Sequence, residues 1–430
     1  MYIRRELESK LAQISSVPEI IAILGARQVG KTTLLRNFFL TENSKMISFE
    51  DRQILSLFQE DEKAFANYYL NDCDTLIIDE FQYAREGGRK LKFIYDSFPG
   101  KKIVISGSSS LELTEQATKY LVGRIFLFHL ETFNFSEFLS AKDKNLHKML
   151  LSQADKILEE LRKIDPVLPT ISQTIIQKSV EFIDELVLFG GYPRAVLSDN
   201  NIEKTTVLQN IFNTYLLKEI REILNLPDDY QMEKLTKFLG LRIADIMNIN
   251  DISNALGISY KRLQQLLHVL EKTYIIQMIP PFYTNNLLEL TKSRKLFFKD
   301  TGFRNAVINN FTNLAERTDS SDLYENLVFS ELMKKDIKAK FWRTKSKAEV
   351  DIIMEIEGRI IPVEIKSNLK RNNVQRSMIS FIKKYQPEIG FIVSRNYFDI
   401  VKIENTNVFF IPFALFILID LKSLRNVPRR

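Results

Sequence analysis

The 430-residue sequence has almost none of the residues that form disulfides, and it has no long apolar run. Its single cysteine, Cys73, excludes an intrachain disulfide and is typical of a reducing cytoplasm. The longest apolar run, Val408 to Ile419, contains Pro412 and stops at Asp420, short of the roughly 20 residues that a membrane-spanning helix needs. That run predicts a buried strand followed by a short helix. With a charged opening instead of an apolar targeting segment, the sequence predicts a cytoplasmic protein with no membrane partner.

Size and charge suggest several domains and a basic last third. A hydrophobic content of 45% and a charged content of 27% are those of a soluble globular protein. Because single cores stop growing near about 250 residues, the chain has room for about two to four domains. From Thr284 to Arg430 there are 26 Lys and Arg against 17 Asp and Glu. This surplus favours a polyanion such as DNA, although solvated lysines would give the same count.

The stretch from Ile20 to Phe39 carries the clearest chemical signal. An apolar strand runs into the loop GARQVGKT, and Leu34, Leu35 and Phe38 follow at helical spacing. The pattern G-x-x-x-x-G-K-[ST] lets backbone N–H groups curl around phosphate oxygens at a helix N-terminus. An ordinary glycine turn before a helix is the alternative. The residues predicted to bind nucleotide are Gly25, Ala26, Arg27, Gln28, Val29, Gly30, Lys31, Thr32 and Thr33, with Lys31 on the β- and γ-phosphates and Thr32 on Mg²⁺.

Two further apolar strands end in polar residues that suit the same nucleotide. The strand Thr75 to Ile78 ends in Asp79, which we expect to bind Mg²⁺ through water, and Glu80, which we expect to polarise the attacking water. A solvated turn is the alternative. The strand Lys102 to Ile105 ends in a serine-rich segment, where Ser108, in preference to Ser106, would hydrogen-bond the γ-phosphate or the water. One of these serines would otherwise cap a helix from Leu111 onward.

These segments together resemble an AAA+ ATPase: GARQVGKT as Walker A, LIIDE as Walker B, ISGSSS at the sensor position and Arg124 just before the fifth strand. The resemblance implies an α/β fold, with a P-loop parallel sheet and helices on both faces. It also implies ATP and Mg²⁺ as cofactors and a homo-oligomer in which Arg124 reaches the neighbouring subunit's nucleotide as an arginine finger. The alternative role for Arg124 is a surface salt bridge.

The middle of the chain is almost wholly helical, with one interruption from Phe189 to Arg194. The interruption resembles the G-x-P turn that closes a helical lid over nucleotide in related signal-transduction ATPases, which implies that Pro193 contacts the nucleotide. A helix C-cap followed by proline would give the same sequence. We therefore predict an ATPase domain over residues 1–140 and a helical lid over 141–230.

Residues 231–283 carry a helix-turn-helix pattern, which we interpret as a winged helix. Asp251 can cap a short helix that Gly257 ends, Ser259 can cap a second, and a strand-like wing follows. The exposed face of the second helix would show Tyr260, Lys261, Arg262, Gln264 and Gln265. Those residue types suit a DNA groove, but the segment could equally serve as a lid or a protein contact.

Residues 284–430 carry a second group of acids and a lysine. If Glu357-Gly358 is a two-residue hairpin turn, Asp351 lies opposite Glu364 with Cβ atoms about 5 Å apart, and Lys366 shares their face with Glu349 opposite it. Opposed carboxylates call for a cation such as Mg²⁺. A solvated, salt-bridged hairpin is the alternative.

The pattern resembles the PD-(D/E)xK nuclease superfamily, with Asp351, Glu364 and Lys366 as the D…ExK triplet and Glu325 as the helical acid. Val350 stands where the motif name has proline. The resemblance implies Glu325, Asp351 and Glu364 as metal ligands and Lys366 as a catalytic group. The whole chain resembles prokaryotic AAA+ proteins with a restriction-endonuclease-like C-terminus. Three functions follow: an ATPase governing a DNA-directed nuclease, an ATPase whose last domain binds DNA or protein without cutting, or a slow nucleotide switch that assembles and releases partners.

Overall fold

A computed structural model describes residues 2–108, 119–214 and 230–426. The helix predicted from Leu111 onward and residues 215–229 of the predicted lid lie outside the described residues. The chain divides into two compact units, of which the first comprises Met1–Phe133 with His268–Ile275 and the second comprises Asn134–Leu267 with Ile276–Arg430.

The first unit is a five-stranded parallel sheet with helices around it, as predicted. Its strands, in chain order, are Ile20–Leu24 (β1), Ser44–Ser48 (β2), Thr75–Asp79 (β3), Lys102–Gly107 (β4) and Ile125–His129 (β5). Its helices are Leu7–Ile14 (α1), Lys31–Phe38 (α2), Arg52–Glu60 (α3), Glu62–Leu70 (α4) and Gly87–Ser97 (α5).

The strand order in this sheet is β2-β3-β4-β1-β5. The aliphatic strands β1, β3 and β4 are buried almost throughout, because helices cover a parallel sheet on its faces. Since β4 pairs with both β1 and β3, the carboxyl ends of these three strands meet at one edge. The phosphate loop, Asp79 and Ser108 all lie at that edge.

The second unit begins with helices. Two helices joined by a turn follow, and then a pair of antiparallel strands. The helices are Phe135–Lys142 (α6), Lys144–Leu161 (α7), Gln173–Phe189 (α8), Pro193–Val196 (α9), Asn201–Ile211 (α10), Tyr230–Gly240 (α11), Ile249–Leu256 (α12) and Tyr260–Lys272 (α13), the last of which ends in the first unit. The strands Ile276–Ile279 (β6) and Lys295–Phe298 (β7) pair in antiparallel fashion, with helix Asn286–Thr291 (α14) between them.

The residue that caps the first helix of the predicted helix-turn-helix differs from the prediction. Gly257 ends α12 in the left-handed region at φ 68°, as its lack of a side chain suggests. The predicted cap Asp251 lies inside the first turn, and Asn248 caps instead by accepting a hydrogen bond from the Asn250 N–H. Either side chain can cap a helix, so sequence alone did not fix the starting residue. Ser259 does accept the Arg262 N–H at 3.4 Å.

The rest of the second unit is a six-stranded mixed sheet with order β12-β13-β11-β10-β9-β8. Its strands are Lys338–Arg343 (β8), Glu349–Ile356 (β9), Arg359–Lys366 (β10), Ile389–Ser394 (β11), Asp399–Ile403 (β12) and Thr406–Pro412 (β13). The accompanying helices are Thr301–Val307 (α15), Ser320–Lys334 (α16), Arg376–Tyr385 (α17) and Phe413–Leu418 (α18).

The longest apolar run of the sequence is divided between two buried elements. It supplies most of strand β13 and all of helix α18, which confirms the predicted strand and short helix. Among the described residues, no helix is both long and apolar enough to cross a membrane.

Candidate nucleotide site and carboxylate cluster

The predicted phosphate loop is folded around its own lysine. Gly30, at φ 96°, takes a left-handed conformation just before α2, which glycine tolerates without strain. The buried Lys31 Nζ donates hydrogen bonds to the carbonyls of Gly25 at 3.0 Å and Ala26 at 2.9 Å. Burial lowers the pKa of Lys31 to about 8, with Glu80 and Asp79 opposing that effect. The loop thus holds a desolvated cation whose charge is incompletely compensated, as an anion site requires.

The loop threonine and the acid that ends β3 are in direct contact. Thr32 Oγ1 donates a hydrogen bond to Asp79 Oδ2 at 2.7 Å. Ser106, fully buried at the end of β4, donates from Oγ to Asp79 Oδ1 and accepts the Glu80 N–H at 3.3 Å. A hydroxyl and a carboxylate brought together in this way are ligands that suit Mg²⁺. These residues therefore fit a Mg²⁺-nucleotide.

Gln82 forms hydrogen bonds with both Glu80 and Ser108, the two residues predicted to act on the attacking water or the γ-phosphate. Gln82 Nε2 donates to Glu80 Oε2, and Gln82 Oε1 accepts the Ser108 N–H at 3.3 Å. Glu80 itself has a positive φ of 56°, uncommon for a residue with a side chain. Sequence reasoning missed Gln82, whose only signal was its position two residues after Glu80. The catalytic role of Glu80 and the phosphate contact of Ser108 stay predictions.

Arg124 lies in a salt bridge within its own unit. Its Nε is 2.8 Å from Asp96 Oδ1 and its Nη2 is 3.3 Å from Asp96 Oδ2. The Arg124 side chain is 34% exposed, so the pair sits at the surface. An arginine finger would have to leave Asp96 to reach a neighbour's nucleotide. That role stays a prediction beside the salt-bridge alternative.

The glycine turn before Pro193 packs closely against residues that lie about 110 positions later in the chain. Asp300 Oδ2 accepts the Gly191 N–H at 2.8 Å, and a Cβ on Gly190 would come within 2.0 Å of Asp300 Oδ1. Gly302 packs as tightly, since a Cβ there would lie 2.1 Å from the Phe189 carbonyl oxygen. Pro193 opens α9 in the second unit, and its contact with nucleotide stays a prediction. Neither Asp300 nor Gly302 was singled out from the sequence.

The predicted hairpin register is confirmed. Ile356 pairs with Arg359 across the turn, and the ladder continues without a shift to Ile352 and Val363. One residue further, Asp351 Oδ2 accepts the Ile365 N–H at 2.7 Å. The Asp351 side chain therefore reaches strand β10 at the residue that follows Glu364.

Glu364 is buried and only partly hydrogen-bonded. It is 2% exposed, and its Oε1 accepts a hydrogen bond from Lys366 Nζ at 2.9 Å. The amide of Gln375, oriented with its nitrogen toward Glu364, adds a second donor to Oε1 at 2.6 Å. Oε2 is buried and has no hydrogen-bond partner in the part of the chain that the structure describes. Burial, and then the charge of Asp351, raise the pKa of Glu364 to about 7.

A lysine that sequence reasoning missed lies among the other acids. Lys295 Nζ is 2.6 Å from Glu325 Oε1 and 2.8 Å from Glu349 Oε1, and its side chain is 3% exposed. Burial alone would lower the pKa of Lys295, but the charges of Glu325 and Glu349 outweigh it and raise that pKa. Lys366, expected beside Glu349, bonds Glu364 instead. Lys295 gave no signal because it is 54 residues from Glu349 in the chain.

The described residues contain no group of three or more His, Cys, Asp or Glu side chains arranged to hold a metal ion. Metal binding by Glu325, Asp351 and Glu364 stays a prediction, and it would require Lys295 to leave Glu325. The donor set fits a metal only in part: the orphaned Glu364 oxygen calls for a cation, while Glu325 already has one.

The predicted recognition face on α13 is mostly solvent-facing. Tyr260, Lys261, Gln264 and Gln265 are exposed, and Arg262 is half-buried. The side chains therefore point outward as expected. Whether they meet DNA stays a prediction.

Comparison with known families identifies the first part of the chain. Residues 17–139 match the profile of the AAA domain family, so the chain carries an AAA-type ATPase domain. Residues 180–314 and 320–416 each match a domain of unknown function, DUF8612 and DUF4143 respectively.

Similar full-length proteins occur in distant prokaryotes. An uncharacterized protein from Haemophilus influenzae is 23% identical over 96% of this chain and 98% of its own length. An uncharacterized protein from Methanocaldococcus jannaschii is 24% identical over 89% of this chain and 81% of its own length. In both cases the similarity covers most of this chain and most of the relative.

Solved structures show only distant likeness. A signal transduction ATPase with numerous domains and a tetratricopeptide repeat sensor, from Pyrococcus horikoshii, has a TM-score of 0.28 and 14% identity over 78% of this chain and 46% of that chain. Domain III of the replication initiation protein DnaA from Thermotoga maritima has a TM-score of 0.27 and 16% identity over 51% of this chain and 89% of that chain. Likenesses this distant say nothing about function.

Proposed function

We propose that this protein binds and hydrolyses Mg²⁺-ATP in its first unit and uses the nucleotide state to govern a nucleic-acid-directed second unit. The observation that carries the proposal is the contact between Thr32 and Asp79 at 2.7 Å, beside a buried Lys31. Because the loop hydroxyl and the strand acid are in contact, the two groups that would hold Mg²⁺ lie side by side.

Each residue of this site has a distinct task. Lys31 would neutralise the β- and γ-phosphates, and Thr32, with Asp79 acting through water, would hold Mg²⁺, which would supply charge neutralisation at the transferred phosphoryl group. Glu80 polarises the attacking water, and Ser108 contacts the γ-phosphate or that water. Pro193 would close over the nucleotide and Arg124 would act across a subunit boundary in a homo-oligomer.

For the second unit, the confirmed hairpin register supports a nuclease-like site built on Asp351, Glu364 and Lys366. A partner with a phosphate backbone suits the basic surplus of the last third of the chain. Tyr260, Lys261 and the glutamines of α13 would add a second DNA-contacting surface, the recognition helix of a winged helix.

A second candidate function is binding without cutting. The pairing of Lys295 with Glu325 at 2.6 Å favours it, because that contact occupies one of the acids that a metal-dependent nuclease would need. In that case the second unit would bind DNA or a protein partner and release it according to nucleotide state.

Turnover and cleavage measured together test these proposals. We expect ATP hydrolysis by the wild type to be stimulated by duplex DNA, and Lys31→Ala to abolish it. Nicking of supercoiled plasmid in Mg²⁺ or Mn²⁺ by the wild type but not by Asp351→Ala would support the nuclease role. DNA-stimulated hydrolysis without nicking would support binding alone. The absence of any ATP hydrolysis, with or without DNA, would overturn the proposal.

A further inference from the structure

Lys295 lies in a strand whose backbone is hydrogen-bonded on both edges. It begins strand β7, where it pairs with Ile279 of β6. On the other edge of β7, the Leu296 N–H donates to Asp245 O at 3.0 Å and the Met247 N–H donates to Arg294 O at 2.8 Å. The lysine backbone is thus fixed between two neighbouring segments.

The far end of β7 is attached to the helix that carries Glu325. Asn326 Oδ1 accepts the Phe298 N–H at 2.8 Å, and Asn326 Nδ2 donates to Phe298 O at 2.7 Å. A side-chain amide here satisfies both backbone groups of one strand residue, as a neighbouring strand would. Since Glu325 and Asn326 are consecutive, α16 holds β7 at Lys295 and again at Phe298, so the lysine approaches the acids in a fixed position.

The charges around Lys295 are unbalanced without it. Glu325 and Glu349 contact Lys295 directly. Asp351 lies two residues along β9 from Glu349, and Glu364 lies on the paired strand β10. Of the cations, Lys366 bonds Glu364, and Arg343 lies 3.7 Å from Glu349 at a more exposed position. Glu325 has only Lys295 as an ion-pair partner among the described residues. Buried carboxylates without a cation are strongly destabilising, so Lys295 does here what a bound metal would otherwise do.

We propose that Lys295 is a built-in counter-ion that excludes divalent metal from the Glu325 side of the carboxylate cluster. A metal ion can be shared by Glu325, Asp351 and Glu364 only when the ammonium group has moved away. Two positive charges repel strongly in a small, desolvated site, and the ammonium group, being tethered to the chain, is always present beside Glu325. The buried, unpartnered Oε2 of Glu364 is the ligand that remains ready for an incoming metal.

The inference rests on the nuclease-like proposal and deepens it: Lys295 keeps metal from Glu325 in the protein without DNA, so nicking by the wild type requires the ammonium group to move when DNA binds. It predicts that a neutral residue at position 295 will open the cluster. Methionine keeps an unbranched apolar side chain close to the lysine stem in length and removes the ammonium group, so Lys295→Met is the variant of choice.

The test is Mn²⁺ binding to nucleotide-free protein, followed by calorimetry and by the electron paramagnetic resonance of free Mn²⁺. An Asp79→Asn background removes the ATPase-site carboxylate from the measurement. We expect Lys295→Met to bind one Mn²⁺ at least tenfold more tightly than its parent, and adding Asp351→Asn to abolish that gain. The matched control is Lys334→Met, which removes another buried lysine, paired with Glu331 at 2.8 Å outside the cluster. Equal Mn²⁺ affinity of Lys295→Met and its parent would overturn the proposal.

Folding itself provides a second measurement. If Lys295→Met does not fold in metal-free buffer, we expect Mn²⁺ to restore folded protein, while Lys334→Met shows no such dependence. Failure of Mn²⁺ to rescue the variant would also overturn the proposal. Plasmid nicking by each variant is scored separately: tight Mn²⁺ binding without nicking would contradict the nuclease function and leave metal exclusion supported.

Discussion

At the scale of single residues, two buried lysines differ in the groups that contact their ammonium nitrogens, and this difference determines which of them can bind an anion. Lys31 is held by the carbonyls of Gly25 and Ala26, which carry only partial charge, and burial lowers its pKa to about 8. Lys295 is held by two carboxylates, which raise its pKa. A bound phosphate would therefore stabilise the charge of Lys31, whereas the charge of Lys295 is already stabilised by carboxylates.

Asp319 gives a pH-dependent prediction. Burial would raise its pKa, but the hydrogen bond from Arg317 and the charge of Arg304 outweigh it and lower that pKa to about 2. A depressed carboxylate pKa contributes stability that is present above the unfolded value near 3.8 and lost as pH falls toward 2. We expect Asp319→Asn to lower the free energy of unfolding by about 2 kcal/mol at neutral pH and to converge with wild type in acid.

The single tryptophan, Trp342, lies in the second unit and reports its unfolding in urea. The control is Asp336→Asn, whose exposed carboxylate lies 3.6 Å from Lys422 and should matter by less than about 0.5 kcal/mol. A loss at Asp319 that stays constant from neutral pH into acid would contradict the assigned ionisation.

At the scale of elements, glycine packing links helices α8 and α15. Gly302→Ala would place a methyl group 2.1 Å from the Phe189 carbonyl oxygen, which is backbone and cannot swing aside. We expect a loss of about 2 to 4 kcal/mol, measured by urea unfolding followed at Trp342. Gly390→Ala is the control, because its methyl would meet the flexible end of Met378 at 3.0 Å. Equal stability of the two variants would show that the contact at Gly302 is not tight.

The hairpin and Lys295 illustrate what sequence could and could not predict at this scale. A two-residue turn at Glu357-Gly358 fixes the register of its own strands, so the pairing of Ile352 with Val363 followed from local spacing. Sequence periodicity predicts which face of an element a residue occupies, but it does not predict contacts with residues far along the chain. The contacts of Lys295 and Asp300 could therefore not be predicted. The same holds at β4: both Ser106 and Ser108 suited the site by sequence, and only the fold showed that Ser106 bonds Asp79.

At the scale of the whole molecule, the prediction of a homo-oligomer rests on the role assigned to Arg124. If this residue acts across a subunit boundary, turnover per chain will rise with protein concentration. Arg124→Ala should lose about a thousandfold or more in turnover. Mixing Arg124→Ala with Glu80→Gln chains should restore part of the activity, because each supplies the group that the other lacks.

Asp96→Asn distinguishes a finger from a surface salt bridge. It removes the partner of Arg124 and leaves the guanidinium free, so a finger should keep its activity while a structural arginine should not. Concentration-independent turnover, with Asp96→Asn and Arg124→Ala equally impaired, would make Arg124 structural.

The account as a whole depends on nucleotide occupying the loop around Lys31, and equilibrium binding of Mg²⁺-ATP measures this most directly. Glu80→Gln should bind one ATP per chain as tightly as wild type while its turnover falls by about a hundredfold or more, since it loses only the polarised water. Lys31→Ala, folded as judged by circular dichroism, should lose binding. Undiminished binding of Mg²⁺-ATP by Lys31→Ala would contradict the account.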